Sequence, residues 1–419
     1  IPDTDRSRGL GDVYKRQAAA VSAKKHGADS ILILERDSSL GGILNQCIHS
    51  GFGLHRFKEE LTGPEYANRY IELVEELNIP YLLNTTVIDI THDRKVTAVN
   101  SDDGVIEIQA GAIIIAAGCR ERPAGAINIF GDRCAGIYTA GTAQKFVNID
   151  GYMPGKKIII LGSGDIGLIM ARRMTLESAK VEAVVEIMPF SSGLNRNIVQ
   201  CLNDFNIPLY LSHTITSVKG EERLESVVVS EVDKNFKPIK GTEREVECDT
   251  LLLSVGLLPE NEMSKRADVV LSNITGGAIV NERFETSTPG IFACGNVLHV
   301  HDLVDYVSEE SEHAAKYAVD FAAGRRYPQS DVEIKAGNGV RYTVPFKMSS
   351  KNIEDDLTIR FRVTGRFKDK KIRVLINDEP VISRAEPALA PGEMQTVVIR
   401  KEKLEEQAEI KDIIVEVAD

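Results

Sequence analysis

The sequence has no tryptophan, and aromatic side chains make up only 6% of its 419 residues. Its six cysteines are scattered and form no C-x-x-C pair, which argues against a disulfide framework and against a zinc site built on paired cysteines. No apolar run approaches the roughly 20 residues that a membrane-spanning helix needs. No signal peptide is visible at the start. We therefore expect a cytoplasmic protein without a membrane span.

Excess positive charge is also absent. The 50 lysine and arginine residues are outnumbered by 62 acidic residues, and the net charge is −12. This balance argues against nucleic acid as a partner. A hydrophobic fraction of 43% is ordinary for a globular protein, and the length allows two or three domains.

The most informative segment is a glycine-rich turn between two apolar runs. Ile158–Leu161 leads into the turn Gly162–Gly167, and a helical segment follows. A second apolar run, Val181–Val185, is closed by Glu186. Strand, glycine turn, helix, strand and terminal acid form the dinucleotide-binding fingerprint. An ordinary glycine turn is the alternative for the glycines alone, but the flanking strands and the acid favour a nucleotide.

Each part of this turn has an expected role. Gly162 makes the tight turn, Gly164 lets the backbone approach the pyrophosphate, and Gly167 lets the helix pack closely on the strand. Asp165 and Ile166 open the helix, whose free N–H groups and positive dipole end face the phosphates.

Glu186 is expected to accept hydrogen bonds from the ribose hydroxyls of the bound nucleotide. Its charge would repel a 2′-phosphate, and Ile187, Met188 and Pro189 supply no cation to bind one. The sequence therefore predicts NAD(H) rather than NADP(H).

Part of another dinucleotide fold precedes this one. Ala18–His26 predicts a helix that stops at Gly27, and Ser30–Leu34 predicts a short buried strand closed by Glu35. Residues 1–17 contain neither an apolar strand nor the glycine loop that should precede the helix. Our hypothesis is that they are foreign and replace the native strand and loop, so that the sheet has a gap or a makeshift filler beside Ile31–Leu34. A divergent natural N-terminus is the alternative.

Other buried strands also end in glycine. Ala112–Ala117 is followed by Gly118, and Thr250–Val255 by Gly256. Ile291–Cys294 is followed by Gly295, and Val304–Ala323 then predicts a long helix with an acid-rich start.

Beyond about Tyr327 the pattern changes from helical periodicity to short alternating segments, which is typical of strands. They are Leu357–Val363, Lys371–Ile376, Thr396–Ile399 and Ile413–Val417. They predict a small β domain, and they carry no catalytic constellation.

Two dinucleotide folds with short glycine-ended strands resemble the FAD/NAD(P)-dependent pyridine nucleotide oxidoreductase superfamily over about Ala18–Tyr327. The resemblance implies an α/β protein with two Rossmann-like domains, one inserted in the other, and a small C-terminal all-β domain. FAD would bind to residues 1–122 with 285–328, and NAD to residues 123–284. Residues 329–419 would form the β domain.

The resemblance also implies residues that contact the cofactors. Glu35 would hold the FAD ribose, Gly295 would lie at the pyrophosphate, and Asn296, in place of the usual acid, would bond a ribitol hydroxyl. The remaining residues assigned to cofactor binding in this way are Arg36, Gly41, Gly42, Val87, Ala116, Ala117, Gly118 and Gly256.

Two groups of motifs refine the resemblance. Glu121–Pro123, followed by Thr139–Gln144 and Gly162–Asp165, is similar to the FAD subunits of opine oxidase, sarcosine oxidase and hydrogen cyanide synthase. Gly41–Cys47, and Cys294–Asn296 running into His299–Asp305, look most like bacterial oxidoreductases encoded beside anaerobic glycerol-3-phosphate dehydrogenase. They imply a redox partner subunit that resembles this dehydrogenase, and they leave a homo-oligomer open.

Three residues are candidates for catalysis. Disulfide reductases of this superfamily use a pair of cysteines that faces the flavin. Cys47 lies near the place expected for this pair but has no mate in the sequence, so it is either a small buried residue or a reactive thiolate. His299 and His301 would donate a hydrogen bond or a proton near the flavin, or belong to a solvated loop. A metal site formed with Asp302 and Asp305 is disfavoured because no matching ligand set occurs elsewhere, so we expect no metal.

The expected reaction is hydride transfer between NAD(H) and FAD, with electrons passing to a partner subunit or a small acceptor. An amine or opine dehydrogenase-type FAD subunit is one alternative. A flavin-binding subunit without catalysis is the other.

Overall fold

The computed structural model describes residues 14–351 and 353–419. Its helices are α1 (Tyr14–Lys25), α2 (Gly63–Glu76), α3 (Ala140–Lys145), α4 (Asp165–Leu176), α5 (Asn195–Cys201), α6 (Glu262–Arg266), α7 (Val304–Ala322) and α8 (Lys401–Glu405). No helix in these ranges combines the length and the apolar character needed to cross a membrane.

The strands before residue 200 are β1 (Ile33–Leu34), β2 (Ser50–Phe52), β3 (Leu61–Thr62), β4 (Tyr81–Leu82), β5 (Thr86–Ile90), β6 (Lys95–Asn100), β7 (Gly104–Gln109), β8 (Ile113–Ile115), β9 (Cys119–Glu121), β10 (Phe130–Gly131), β11 (Ile137–Thr139), β12 (Lys157–Leu161) and β13 (Lys180–Glu186). The later strands are β14 (Leu209–Leu211), β15 (His213–Lys219), β16 (Ser226–Glu231), β17 (Arg244–Glu247), β18 (Thr250–Leu253), β19 (Leu257–Pro259), β20 (Ile291–Ala293), β21 (Val332–Ala336), β22 (Val340–Val344), β23 (Lys347–Met348), β24 (Leu357–Val363), β25 (Phe367–Ile376), β26 (Glu379–Leu389), β27 (Gln395–Ile399) and β28 (Asp412–Ala418).

The described chain forms two compact units, one of which is inserted in the other. Arg120–Leu258 forms the inserted unit, and residues 14–119 with Pro259–Asp419 form the second. The α/β class with one Rossmann-like fold inserted in another is confirmed. The predicted domain limits, including the end of the NAD domain at residue 284, stay predictions.

The inserted unit is built on a five-stranded parallel sheet in the order β11-β18-β12-β13-β14. Its central strand β12 is apolar because it is covered on both faces, and Ile158, Ile159 and Ile160 are fully buried. The glycine turn predicted from the sequence follows this central strand directly. A four-stranded sheet, β10-β15-β16-β17, completes the unit.

The second unit contains two separate parallel strand pairs, β1 with β4 and β8 with β20. Within the described residues, β1 pairs with β4 alone. Small side chains let α1 approach α7 closely, because Ala19 and Ala23 pack on Ala315. The helix α1 includes Tyr14–Gln17, although the sequence predicted its start at Ala18. The rest of the segment considered foreign, residues 1–13, lies outside the described residues.

Residues after about 330 form the expected β-rich region, called the β domain below, although it is not all-β because it includes the short helix α8. A five-stranded sheet, β23-β21-β28-β25-β26, and a three-stranded sheet, β22-β24-β27, bury one shared apolar core. Alternation explains this packing, because Leu357, Ile359, Phe361 and Val363 of β24 all point into that core. The intervening arginines of β24, Arg360 and Arg362, therefore lie on its other face.

Candidate cofactor and redox site

Two glycines of the nucleotide turn are required by the local geometry. Gly162 has φ of +98°, and a Cβ on it would lie 2.1 Å from the backbone oxygen of Ser254. A Cβ on Gly167 would lie 2.7 Å from the backbone oxygen of Gly162. The turn and the close approach of α4 to β12 therefore depend on glycine at both positions.

The start of α4 has the properties of a phosphate site. Gly164 is the N-cap, no side chain caps the helix, and a Cβ on Gly164 would meet no atom closer than 3.6 Å. Free N–H groups and open space are what a pyrophosphate needs. Ile166 is half-buried in this first turn. Asp165 is directed elsewhere, since its Oδ1 accepts hydrogen bonds from Leu194 N at 2.8 Å and Asn197 Nδ2 at 2.6 Å.

Glu186 lies at the end of β13 and is 5% exposed. Its Oε2 accepts hydrogen bonds from the N and Oγ of Ser163 at 2.9 and 2.6 Å, and its Oε1 accepts one from Met188 N at 2.9 Å. Because each carboxylate oxygen has two acceptor positions, Oε1 can still bind a ribose hydroxyl. The turn, the helix start and this acid together fit NAD.

Glu35, the corresponding acid of the other fold, is fully buried and already paired. Its Oε2 lies 3.2 Å from Nη1 of Arg16, which also donates to Leu34 O at 2.7 Å, and its Oε1 accepts a hydrogen bond from Asp37 N at 2.8 Å. Burial raises the pKa of Glu35, and the positive charge of Arg16 opposes this rise. An FAD ribose would therefore compete with Arg16 for this carboxylate.

Gly41 and Gly42 both have positive φ, 103° and 52°, and introduce a 3-10 helix that ends at Gln46. Cys47 follows it, half-buried, and its backbone oxygen accepts a hydrogen bond from Gly63 N at 2.9 Å at the start of α2. The six cysteines form no disulfide in the described chain. In the sequence the next cysteine after Cys47 is Cys119.

The remaining predicted FAD residues lie on strand ends and in turns. Ala116 is buried, Ala117 is half-buried, and Gly118, with φ of +77°, accepts a hydrogen bond from Glu260 N at 3.0 Å. Val87 lies on β5, half-buried against the main core, and Arg36 is exposed. Gly256, in the inserted unit, has φ of +99° and open space around its Cα. Their contacts with FAD stay predictions.

The most strongly organised part of the second unit is the carboxylate of Glu310, which accepts four hydrogen bonds. Nε2 of His299 and Nη1 of Arg360 lie 3.1 and 3.2 Å from its Oε1. Nε2 of His301 and N of Gly295 lie 3.0 Å from its Oε2. The side chains of His299, His301 and Glu310 are each 1% exposed. The alternative of a solvated histidine loop is therefore wrong.

The protonation of this cluster follows from burial and charge. Burial alone would raise the pKa of Glu310, but His301 and His299, which attract and hydrogen-bond the carboxylate, hold it well below its usual value. Burial lowers the pKa of His301 to about 3. At neutral pH this imidazole is therefore uncharged and donates its Nε2–H to the carboxylate.

The two imidazoles and Glu310 bring three possible metal-ligand atoms within 4.8 Å of one another. However, a carboxylate has about four acceptor positions, and here N–H donors fill them all. The aspartates considered from the sequence lie elsewhere. Asp302 pairs with Arg362, and Asp305 Oδ2 accepts a hydrogen bond from His55 N at 3.1 Å. This donor set suits a hydrogen-bonded anion better than a metal ligand.

Several buried polar atoms around this cluster have no protein partner among the described residues. They are Nδ1 of His299, Nδ1 of His301 and Oδ1 of Asp305. Buried polar atoms normally find a partner, so these three can bind a polar ligand such as a flavin. Asn296, expected at the ribitol, uses its Oδ1 to accept a hydrogen bond from His301 N at 3.0 Å. The N–H of Gly295 is directed at Glu310 and not toward an open phosphate site.

Sequence analysis missed the residues that organise this site. Glu310 looks like one more acid of an acid-rich helix start, but Val307 and Ala314, three residues before it and four after it, are buried. This helical spacing places Glu310 on the same inward face and could have identified it. For Arg360 and Arg362 the sequence offered only a weaker indication of a role in this site, namely two cations on one face of a predicted strand.

The fold and the glycine turn define a protein with a Rossmann-like dinucleotide-binding unit. The sequence pattern of the family described as pyridine nucleotide-disulphide oxidoreductase matches residues 17–319. The chain therefore belongs to this family, whose members use FAD and NAD(P).

Individual relatives agree with this assignment. Mitochondrial dihydrolipoyl dehydrogenase of Caenorhabditis elegans is 28% identical over 314 residues, which are 67% of this chain and 60% of that protein. The ferredoxin–NAD(+) reductase subunit of the Pseudomonas putida benzene 1,2-dioxygenase system is 27% identical over 228 residues, 53% of this chain and 51% of that protein. This chain thus spans about half to three fifths of these curated relatives.

Among solved structures, thioredoxin reductase of T. acidophilum matches with a TM-score of 0.60 and 21% identity. The match covers 75% of this chain and 96% of that one. This likeness establishes the two-domain fold.

Proposed function

We propose that this protein is an FAD-dependent oxidoreductase that transfers hydride between NAD(H) and bound flavin. Its electrons would be exchanged with a partner subunit or a small acceptor. Glycerol-3-phosphate metabolism is the proposed setting, based on the motifs Gly41–Cys47 and Cys294–Asp305.

The observation that carries this proposal is the nucleotide turn of the inserted unit. Its two required glycines, the uncapped start of α4 and the buried Glu186 support a dinucleotide site in a chain of this family. A bound flavin would supply the redox chemistry, while the protein supplies placement and electrostatics.

The next cysteine after Cys47 in the sequence is Cys119, so no neighbouring pair is present in the chain, which favours an acceptor other than a disulfide. Disulfide reduction through a dithiol needs two cysteines close together. The name of the Pseudomonas putida relative, a ferredoxin–NAD(+) reductase subunit, supports electron transfer to another redox protein.

The test is steady-state oxidation of NADH by artificial dyes, with FAD added. We expect dye reduction that depends on both NADH and FAD. Dye reduction with an amine but not with NADH would establish the amine dehydrogenase alternative instead. If neither NADH nor an amine supports dye reduction although FAD is bound, the remaining interpretation is a flavin-binding subunit without catalysis.

The partner is tested separately, by purifying the native protein from its source and identifying the proteins that accompany it. A glycerol-3-phosphate dehydrogenase-like subunit is the expected companion. The complex should then reduce NAD+ or a dye with glycerol 3-phosphate as the donor. A native protein that purifies alone would refute the partner proposal and leave hydride transfer to be judged by the dye assay.

A further inference from the structure

The segment Gly295–Asp302 connects β20 to α7 at the carboxyl end of a parallel strand pair. Ligands of open α/β sheets bind outside the carboxyl ends of the strands. The N-terminus of α7, which begins at Val304, adds its positive dipole end to the same place. The segment therefore belongs to the part of the fold that would face a bound flavin.

This segment is held by the C-terminal β domain. Arg360 of β24 is 6% exposed at its side chain and places Nη1 3.2 Å from Glu310 Oε1. Its Nη2 binds Glu309 Oε2 at 2.7 Å. Glu310 in turn binds His299, His301 and the backbone of Gly295. One guanidinium thus acts, through a single carboxylate, on both ends of the segment.

A second arginine on the same face of β24 holds the far end. Arg362 donates from Nη2 to Val300 O at 2.9 Å and forms an ion pair with Asp302. The other carboxylate oxygen of Asp302 accepts a hydrogen bond from Met394 N, also of the β domain, at 2.5 Å. Residues two apart in a strand lie on one face, so β24 presents both arginines together.

We infer that the β domain is a working part of the flavin site, because Arg360 and Arg362 hold the segment Gly295–Asp302 in its flavin-binding conformation. Both are positioning residues, since they act through Glu310, Asp302 and the backbone. This inference rests on the proposed use of FAD and gives a role to a domain that carries no catalytic residues of its own.

Arg360 brings a permanent positive charge to the carboxylate of Glu310. Of the four donors to Glu310, the amide of Gly295 and the neutral imidazole of His301 bring no charge, whereas the guanidinium is permanently cationic. This permanent charge adds to the hydrogen bonds from His301 and His299, which hold the pKa of Glu310 low. If Arg360 is removed, we expect Glu310 to release its partners and the segment to open.

The experiment compares Arg360→Ala with Arg360→Lys, which keeps the charge. Arg373→Ala is the matched control, because Arg373 binds Glu416 within the β domain, Nε to Oε1 at 2.9 Å. The first measurement is hydrogen–deuterium exchange of residues 295–302 without FAD. The second is titration with FAD, followed by flavin fluorescence, and the visible circular dichroism of the bound flavin. NADH binding to the inserted unit serves as an internal control.

We expect Arg360→Ala to speed exchange in residues 295–302 at least tenfold, to raise the FAD dissociation constant at least tenfold and to change the flavin dichroism. Arg360→Lys should keep the exchange rate, the FAD dissociation constant and the flavin dichroism close to those of the unaltered protein. Arg373→Ala should change none of these three quantities. A well-folded Arg360→Ala protein with unchanged exchange and FAD affinity would overturn the inference. If the unaltered protein binds FAD but does not reduce dyes with NADH, only the proposed function fails. If it binds no FAD, both fail.

Discussion

Nη1 of Arg360 and Oε1 of Glu310 lie 3.2 Å apart in a buried ion pair that joins the β domain to helix α7. The same carboxylate binds two imidazoles and a backbone N–H. Removing one member of such a network leaves the others buried without a partner, which costs far more than losing a surface ion pair.

Replacing Glu310 by glutamine should therefore lower the free energy of unfolding by about 3 kcal/mol. A glutamine amide keeps the shape, but its NH2 group would point donors at N–H groups that are donors themselves. Chemical denaturation at pH 7 measures the loss. Glu309→Gln is the control, because that side chain is 51% exposed and its change should cost less than about 1 kcal/mol. Equal, small losses for the two variants would contradict a saturated Glu310 network.

The pH dependence of stability should reveal the same carboxylate. Because the folded pKa of Glu310 lies well below its unfolded value of 4.5, its contribution is fully present above pH 4.5. That contribution is lost as the pH falls through the folded pKa. Below pH 4.5 the unaltered protein should lose up to about 1.4 kcal/mol per pH unit more than Glu310→Gln. If the free energy of unfolding depended on pH equally in the two proteins across this range, the lowered pKa of Glu310 would be refuted.

Local rules explain what the sequence revealed about the fold. Alternation alone predicted β24 as Leu357–Val363, the bounds observed, because every second residue enters the core of the β domain. The glycine turn was equally visible, since its backbone geometry tolerates only glycine at Gly162 and Gly167. These features depend on residues close together in the chain.

The polar cluster depends instead on contacts that local patterns do not encode. Glu310 and Arg360 are 50 residues apart and meet only because β24 packs beside α7. Similarly, Asp165 was expected at the cofactor but caps a later turn through Leu194. The sequence identified which residue types were available, whereas tertiary packing decided which of them meet.

Nucleotide preference is a further testable consequence of Glu186. A buried carboxylate at the ribose should favour NADH over NADPH at least tenfold in kcat/KM, equivalent to about 1.4 kcal/mol. Glu186→Ser should bring the kcat/KM values for NADH and NADPH within about threefold of each other. Glu182→Gln, a change on the same strand whose side chain pairs with Lys180, should leave the preference unaltered. Equal specificity constants in the unaltered protein would show that Glu186 does not face the ribose.

Cys47 provides a test of thiol chemistry. Because the next cysteine in the sequence is Cys119 and no redox pair is recognisable, Cys47→Ser should leave NADH-dependent dye reduction within about tenfold, or roughly 1.4 kcal/mol in the barrier. Steady-state kinetics with FAD in excess measures this, and Cys201→Ser, on the other unit, is the control. Complete loss of activity with flavin still bound would make Cys47 a catalytic residue.

The last prediction concerns Arg16, which occupies the position that corresponds to a glycine of the inserted unit. Glu35 and Glu186 are 151 residues apart, and the same displacement brings Arg16 onto Gly167. In the inserted unit a Cβ on Gly167 would clash with the backbone. In the second unit the long cationic side chain of Arg16 instead reaches Leu34 and Glu35. Arg16 therefore occupies the acceptors that an FAD ribose needs.

Arg16→Ala should for this reason bind FAD at least tenfold more tightly, the worth of one hydrogen bond to a charged group at about 1.5 kcal/mol. Alanine is favourable in a helix, so α1 should persist. Fluorescence titration with FAD measures the change, and Lys24→Ala, at an exposed position of the same helix, should have no effect. Weaker FAD binding in Arg16→Ala would mean the opposite relationship, in which Arg16 holds the cofactor rather than excluding it. The direction of this one change thus decides whether the Arg16–Glu35 ion pair obstructs the FAD site or forms part of it.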